Sequence, residues 1–278
     1  MGLFSLFNKS DVAFIPDCTL YVKYNSNFVT YQKILSTLGI THRVFEQNVC
    51  SGIEFYESGY DTEARKIARE NLELFQKEQI KKIITFSPPA MKMFSHYYSP
   101  LIPEWNIEVK NVWAMIAEIL ENKKYLMENK VSEVITFHDS CYLGRQCRIF
   151  DEPRKILNLI GYTIKEMDNS REQSFCCGSC GGLPRVDPAL ADKLARERIL
   201  QAKRIGVKKI IVSCFDNYDL LSKNIGNTGV EIMELSQVLA QALGIQVSKN
   251  EAQEDFSRIE QNSLNEAKKI IEPQADLQ

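Results

Sequence analysis

Short apolar runs alternate along this chain with stretches whose apolar residues recur at helical spacing. Val12 to Ile15, Ile80 to Phe86, Val134 to Phe137 and Val207 to Ser213 have the length and β-branched content of buried strands. The order of elements reads twice: strand, cysteine-bearing turn, helix, second strand, Cys-Gly loop, long helix, third strand. That alternation predicts an α/β fold of two pseudo-symmetric βαβ-type domains with parallel sheets. The loops at the carboxyl ends of the strands are then free for chemistry.

The two readings are copies of one another. Lys66-Ile67-Ala68-Arg69-Glu70-Asn71 is echoed by Lys193-Leu194-Ala195-Arg196-Glu197-Arg198, an offset of 127 residues. The same offset carries Lys81-Lys82-Ile83-Ile84-Thr85 onto Lys208-Lys209-Ile210-Ile211-Val212, and Ser87 onto Cys214. Two separate matches at one offset place the copies at 11–122 and 131–245, joined near the polar Glu121-Asn122-Lys123-Lys124. A polar tail, 246–278, reads as a solvated extension, with a helix lying on a partner as the alternative. The apolar start, Met1 to Phe7, reads as a short arm, because it lacks the basic flank of a signal peptide and has Leu6 where myristoylation needs Ser or Thr.

Composition narrows the classes. The chain has 278 residues, 44% hydrophobic and 25% charged, as in an ordinary globular protein, and at roughly 150 residues per domain it accommodates two domains. Its net charge of −2 offers no bulk attraction to nucleic acid or anionic lipid, so a nucleic-acid partner is not expected. No apolar run reaches the roughly 18 residues of a spanning helix. A cytoplasmic location follows as the expectation, with membrane association only through partners. Eight cysteines in such a protein point to metal or redox chemistry, since cytosolic thiols are kept reduced.

The second copy carries most of them in three loops: Cys141 after one strand, Cys176-Cys177-Gly178-Ser179-Cys180-Gly181-Gly182, and Cys214 after another strand. Glycines beside thiols let backbone approach a bulky inorganic centre, and thiolates select iron–sulfur clusters or zinc over hard cations. Structural zinc favours ligands two to four residues apart. The gaps of 34 residues between Cys141 and Cys176, and of 36 between Cys177 and Cys214, prefer iron–sulfur. No Walker or dinucleotide fingerprint accompanies the glycines.

His138-Asp139-Ser140-Cys141-Tyr142-Leu143-Gly144-Arg145, Asp151-Glu152-Pro153-Arg154-Lys155-Ile156-Leu157, Glu166-Met167 and Cys176-Cys177-Gly178 together resemble the cysteine-rich CCG domain of heterodisulfide reductase-like proteins. That family includes the B and D subunits of heterodisulfide reductase, iron–sulfur subunits of glycolate and lactate oxidases, and subunits of a sulfur-oxidizing heterodisulfide reductase-like complex. The resemblance implies a four-iron cluster (4Fe-4S) held by Cys141, Cys176, Cys177 and Cys214. It departs at Asn217, which stands where the family has its last cysteine. Four thiolates suit a cubane cluster, the favoured form. Cys180 can restore a fifth ligand, as in a non-cubane centre, or replace one of the four.

The first copy is degraded. Cys18 matches Cys141, Cys50-Ser51-Gly52 resembles a Cys-Cys-Gly loop with one thiol lost, and Ser87-Pro88-Pro89-Ala90 has no cysteine, so this half is expected to be cluster-free. Cys18 and Cys50 forming a redox disulfide, or completing a site with a partner, is the alternative. Cys147 reads as a spare thiol, and His138 as a structural histidine or a hydrogen-bond donor to a cluster sulfur. Arg145 and Arg154 read as surface ion pairs, or as groups that stabilise a reduced cluster or bind an anion.

The resemblance implies an oxidoreductase subunit that works within a heterodisulfide reductase-like complex. It would exchange electrons with flavin- and ferredoxin-type subunits, acting on a thiol, disulfide or sulfur-carrier substrate. No catalytic residue can be named. The alternative is a non-catalytic electron-relay or anchoring subunit of a lactate-, glycolate- or succinate-oxidizing complex, and a redox-inactive zinc scaffold is a third.

Overall fold

The computed structural model describes residues 10–16, 23–45, 49–129 and 131–246. Cys18, the amino-terminal arm and the tail from Val247 onward lie outside the described residues. The chain forms two parallel sheets. The first contains β1 (Val12–Phe14), β2 (Lys82–Ile84) and β3 (Glu108–Val109), in the order β1-β2-β3. The second contains β4 (Val134–Phe137), β5 (Thr163–Ile164), β6 (Lys209–Val212) and β7 (Glu231–Glu234), in the order β5-β4-β6-β7. The α/β expectation therefore holds.

A parallel bridge between Ala13 and Arg43 occupies in the first half the place that β5 takes in the second. The sequence reading of Ile80 to Phe86 and Val207 to Ser213 as strands is correct but too long at both ends. Ile80, Phe86, Val207 and Ser213 are buried beyond the ladders, and burial rather than pairing keeps them apolar or small. β3 and β7 close each sheet and were not anticipated.

Seven helices of eight or more residues occur among the described residues: α1 (Asn25–Thr37), α2 (Asp61–Lys77), α3 (Val112–Asn122), α4 (Asp151–Ile160), α5 (Pro188–Arg204), α6 (Phe215–Lys223) and α7 (Leu235–Ala242). The strands read as continuous apolar runs because both faces of each sheet are covered. Successive side chains point to opposite faces. Phe14 and Ile84 enter a core shared by the two halves, while Ala13, Ile15 and Ile83 face a second core under α2. In the other sheet Ile211 enters the shared core, and Ile210 and Val212 face a third core under α5.

α2 and α5 bury the same face at the offset found in the sequence: Ala64, Ala68, Asn71 and Leu72 in one, Ala191, Ala195, Arg198 and Ile199 in the other. Across the shared core α1 packs on α7 and α3 packs on α4. The first helix of each repeat thus meets the last helix of the other, in both directions, as across a twofold axis.

A buried carboxyl group lies inside that interface. Glu234 caps α7 by accepting from Ser236 N at 2.7 Å, and Tyr31 of α1 donates its hydroxyl to the same buried carboxylate. Burial pushes the Glu234 carboxyl up to about 7 from 4.5. A carboxyl raised in this way stays protonated in the folded state up to about pH 7. Its stabilising contribution is complete below pH 4.5 and disappears as the pH climbs through about 7, a loss of about 3 kcal/mol in all. Glu234→Gln keeps the hydrogen-bonding shape and removes the ionisation. The urea midpoint of this variant relative to the parent is expected to rise between pH 5 and 7.5, and a constant difference would refute the assignment.

Candidate metal centre

β4 and β6 are hydrogen-bonded neighbours running in the same direction, with Thr136 beside Ile210 and Phe137 beside Ile211. Their carboxyl ends therefore emerge side by side, and the loops that follow carry Cys141 and Cys214. Between them folds the loop from Cys176 to Gly182, which leads into the short helical turn before α5. Gly178, Gly181 and Gly182 of this loop all have positive φ, at 85°, 68° and 75°. At Gly178 space is also limiting, because a Cβ there would lie 2.9 Å from the Ala191 carbonyl oxygen and 3.1 Å from its Cα. The glycine of Cys-Cys-Gly is thus needed both for its conformation and for the approach of α5. Gly178→Ala is expected to cost about 1–3 kcal/mol and to lower the metal content of the purified protein. A variant with parental melting behaviour and parental metal would contradict this.

The thiols converge. His138, Asp139, Cys141, Arg145, Cys176, Cys177, Ser179, Cys180 and Asn217 line one cavity of about 10 Å³. Cys180 joins the two strand-end thiols: it lines the cavity beside Cys141, and it stands next to Cys214. The Sγ atoms of Cys180 and Cys214 and a carboxylate oxygen of Asp216 all lie within 4.8 Å of one another. Cys177 is buried; it donates to Ser179 Oγ at 3.3 Å and accepts from Asn217 Nδ2 at 3.2 Å. Cys176 is the exposed member, with Gly178 N donating to its sulfur at 3.4 Å.

These thiols hold one another's charge in check. The hydrogen bond from Cys180, with help from Arg145, holds the Cys141 thiol down to about 7, while the same bond holds Cys180 up. Burial pushes the Cys177 thiol up to about 12. Packed this closely, they cannot all ionise unless a cation joins them, and that donor set suits a thiophilic metal or an iron–sulfur centre. A second observation agrees. Buried side-chain atoms without a hydrogen-bond partner among the described residues include the hydroxyls of Ser140 and Ser213, each next to a site cysteine, and Asn217 Oδ1 on the cavity wall.

The remaining candidates separate. Arg154 is no surface group. Its side chain is 6% exposed and forks onto Asp139 at 2.7 and 2.9 Å, while Nε holds Glu166 at 2.6 Å, so it is an internal ion pair that ties down the Cys141 loop. Arg145 instead faces the thiol cavity and donates to Ser174 O at 2.7 Å. Cys147 is pushed up to about 11 by burial and is not among the residues lining the cavity.

Neither is Cys50, which keeps its own loop in the first half; there Asn71 Nδ2 binds its carbonyl oxygen at 2.8 Å and the Tyr98 hydroxyl at 2.7 Å. Ser87, the counterpart of Cys214, caps the helical turn Pro88–Lys92 by accepting from Ala90 N at 3.3 Å. Three contributors were not singled out from sequence as site residues: Ser179, Asp216 and Arg198, the last reaching His138 Nδ1 at 3.0 Å. Arg198 left one signal, a charged residue at a buried position of an amphipathic helix, opposite Asn71 in the repeat.

Among known protein families, the cysteine-rich CCG domain matches residues 12–89 and again 135–216, one match in each half. The chain belongs to the CCG cysteine-rich domain family. Among curated proteins this CCG protein is 32% identical over 192 residues to the probable iron-sulfur-binding oxidoreductase FadF of Bacillus subtilis, covering 67% of this chain and 26% of the relative. It is 28% identical over 255 residues to the D subunit of the dihydromethanophenazine:CoB--CoM heterodisulfide reductase of Methanosarcina barkeri, covering 87% of this chain and 61% of the relative. A third match, at 30% over 136 residues, is the EtfAB:quinone oxidoreductase of Syntrophomonas wolfei, with 49% of this chain and 19% of the relative covered. The chain therefore spans about a quarter of the length of the first of these relatives and about three-fifths of the second. Among the described residues no helix is long and apolar enough to cross a membrane.

Proposed function

We propose that this CCG protein is the iron–sulfur subunit of a heterodisulfide reductase-like complex, transferring electrons in thiol/disulfide or sulfur-oxidizing chemistry. The observation that carries the reading is the convergence of thiols from three loops: Cys141, Cys176, Cys177 and Cys180 line one cavity, and the Cys214 sulfur lies within 4.8 Å of that of Cys180. In this reading a four-iron cluster is held in the second repeat, 131–245, by Cys141, Cys176, Cys177 and Cys214 together with Cys180. The first repeat, 11–122, carries none. When bound, such a cluster supplies a one-electron store whose potential depends on ligands, nearby charge and hydrogen bonds to sulfur.

The chain's own residues do the rest. Glycines 178, 181 and 182 shape the Cys176–Gly182 loop, Asn217 and Ser179 hold the Cys177 sulfur, and the Arg154–Asp139 pair anchors the loop before Cys141. The relatives named as a subunit and as a quinone oxidoreductase support a role inside a larger assembly. In this reading flavin- and ferredoxin-type subunits are the electron partners, and the location is the cytoplasm, or a membrane through them.

A second reading, an electron-relay or anchoring subunit of a lactate-, glycolate- or succinate-oxidizing complex, is supported by the relatives named as an iron-sulfur-binding oxidoreductase and as a quinone oxidoreductase, neither of them named for a disulfide substrate. The test is anaerobic purification followed by iron, zinc and acid-labile sulfide analysis and electron paramagnetic resonance. Four irons and matching sulfide per chain are expected, and zinc without sulfide would overturn both readings. Adding a small disulfide to the reduced protein then separates them: a new paramagnetic species marks thiol chemistry, and an unchanged spectrum marks a relay.

A further inference from the structure

Arg198 is fully buried in α5, and none of its partners is a carboxylate. Nε donates to His138 Nδ1 at 3.0 Å, Nη1 to Asn169 O and to Gln201 Oε1 at 2.7 Å each, and Nη2 to Ser174 Oγ at 3.3 Å. Burial lowers this guanidinium only to about 10, so it stays charged at neutral pH. A buried cation normally needs an anion beside it.

The two nearby carboxylates are already committed, since Asp139 and Glu166 both bind Arg154. Arg145, on the other side of Ser174, also donates to a neutral carbonyl. Arg145, Arg154 and Arg198 thus stand around the thiol cavity with Asp139 and Glu166, and the Asp216 carboxylate lies within 4.8 Å of the Cys180 and Cys214 sulfurs. The anionic groups that act most on Arg198 are Asp139, then Cys177 and Glu166, so a thiolate at Cys177 adds to what balances this buried cation.

The bond to His138 adds a direction. Arginine has donors and no acceptor, so His138 Nδ1 must offer its lone pair and the ring proton sits on Nε2. His138 lines the same cavity as Cys141, Cys176, Cys177 and Cys180. Burial, Arg198 and Arg145 together disfavour a second proton on that ring. His138 is thereby fixed as a neutral N–H donor and cannot serve as a base there.

We propose that Arg198 is the permanent counter-charge of the thiolate centre and, by fixing the tautomer of His138, a positioning residue that raises the reduction potential of whatever cluster the thiolates hold. The inference rests on the iron–sulfur reading above. A nearby positive charge and a hydrogen bond to sulfur both favour the reduced, more negative state, so removing them lowers the potential. The equivalent position in the first repeat is the uncharged Asn71, as expected for a half that holds no cluster.

The test is a redox titration of the loaded protein, followed by electron paramagnetic resonance, for the parent, Arg198→Gln, Arg198→Lys and His138→Phe, with iron and sulfide measured on each. Arg198→Gln is expected to lower the reduced-to-oxidised ratio at a fixed potential about tenfold, a midpoint about 60 mV lower for one electron. Arg198→Lys, which keeps the charge, is expected to recover most of that shift, and His138→Phe to move the midpoint the same way as Arg198→Gln. An unmoved midpoint in a fully loaded Arg198→Gln, or equal shifts in the Lys and Gln variants, overturns the inference. Should Arg198→Gln fail to fold or load, His138→Phe decides it, and an unmoved midpoint there overturns it as well. A parent without cluster sinks the iron–sulfur reading and this inference with it, whereas a loaded parent with unmoved variants sinks this inference alone.

Discussion

Replacing Cys141 or Cys214 by alanine is expected to lower iron and acid-labile sulfide at least tenfold, while Cys147→Ala leaves both at the parental level. The contrast follows from position rather than residue type. Cys141 and Cys214 follow neighbouring parallel strands and both stand beside Cys180, one on the shared cavity and the other within 4.8 Å of its sulfur, whereas Cys147 lies off the cavity. A complete ligand set holding a structural metal is worth on the order of 10 kcal/mol to the fold, so losing one of few ligands outweighs any gain from repacking. Cys180→Ala is the informative member of the series, because a fall as deep as that of Cys214→Ala places Cys180 in the ligand set. Absorbance of the chromophore and iron per chain provide the measurement. Parental iron in both Cys141→Ala and Cys214→Ala would end the case for this centre.

The second large effect is expected at Arg154. Arg154→Met should lower the unfolding free energy by about 3–5 kcal/mol, because it leaves a carboxylate buried without its cation. The Asp139 side chain is 2% exposed, and besides Arg154 it accepts from Arg171 N at 2.7 Å. The Ser174 hydroxyl binds the Asp139 backbone carbonyl at 3.3 Å. The guanidinium also stands 5.2 Å over the Phe137 ring at the end of β4. Removing it loosens the loop before Cys141 and the segment that leads to Cys176 together, so metal content should fall with stability. The double variant Arg154→Met, Asp139→Asn is expected to recover part of the loss, since the penalty lies in the stranded charge. Urea unfolding of the three proteins tests this, and a single variant within about 0.5 kcal/mol of the parent would show the pair to be dispensable.

The α/β architecture was legible in the residue pattern alone. Strand runs such as Ile83-Ile84 and Ile210-Ile211 are local, and their unbroken apolarity reports sheets covered on both faces. The repeat was equally legible, because Ala64, Ala68 and Leu72 and their counterparts Ala191, Ala195 and Ile199 keep one face of a helix against a sheet in both halves. The edge strands β3 and β7 were missed, since β3 has only two residues and β7 carries Glu at both ends. Helical spacing likewise said nothing of how the repeats meet, α1 on α7 and α3 on α4.

At the centre, the sequence by itself determined the soft-ligand chemistry and the three loops that deliver it, because thiols next to glycines at strand ends are a property of adjacent residues. Only the tertiary structure decided which charges face the thiols. Arg154 and Arg145 looked alike in the chain, yet one is spent on Asp139 and Glu166 and the other fronts the cavity. Arg198, which seemed one more cation on a long helix, is buried against His138, 60 positions away. The physical reason is that a charge is defined by its surroundings: whether a guanidinium is solvated, paired or left to balance sulfur depends on groups that only folding brings within a few ångströms.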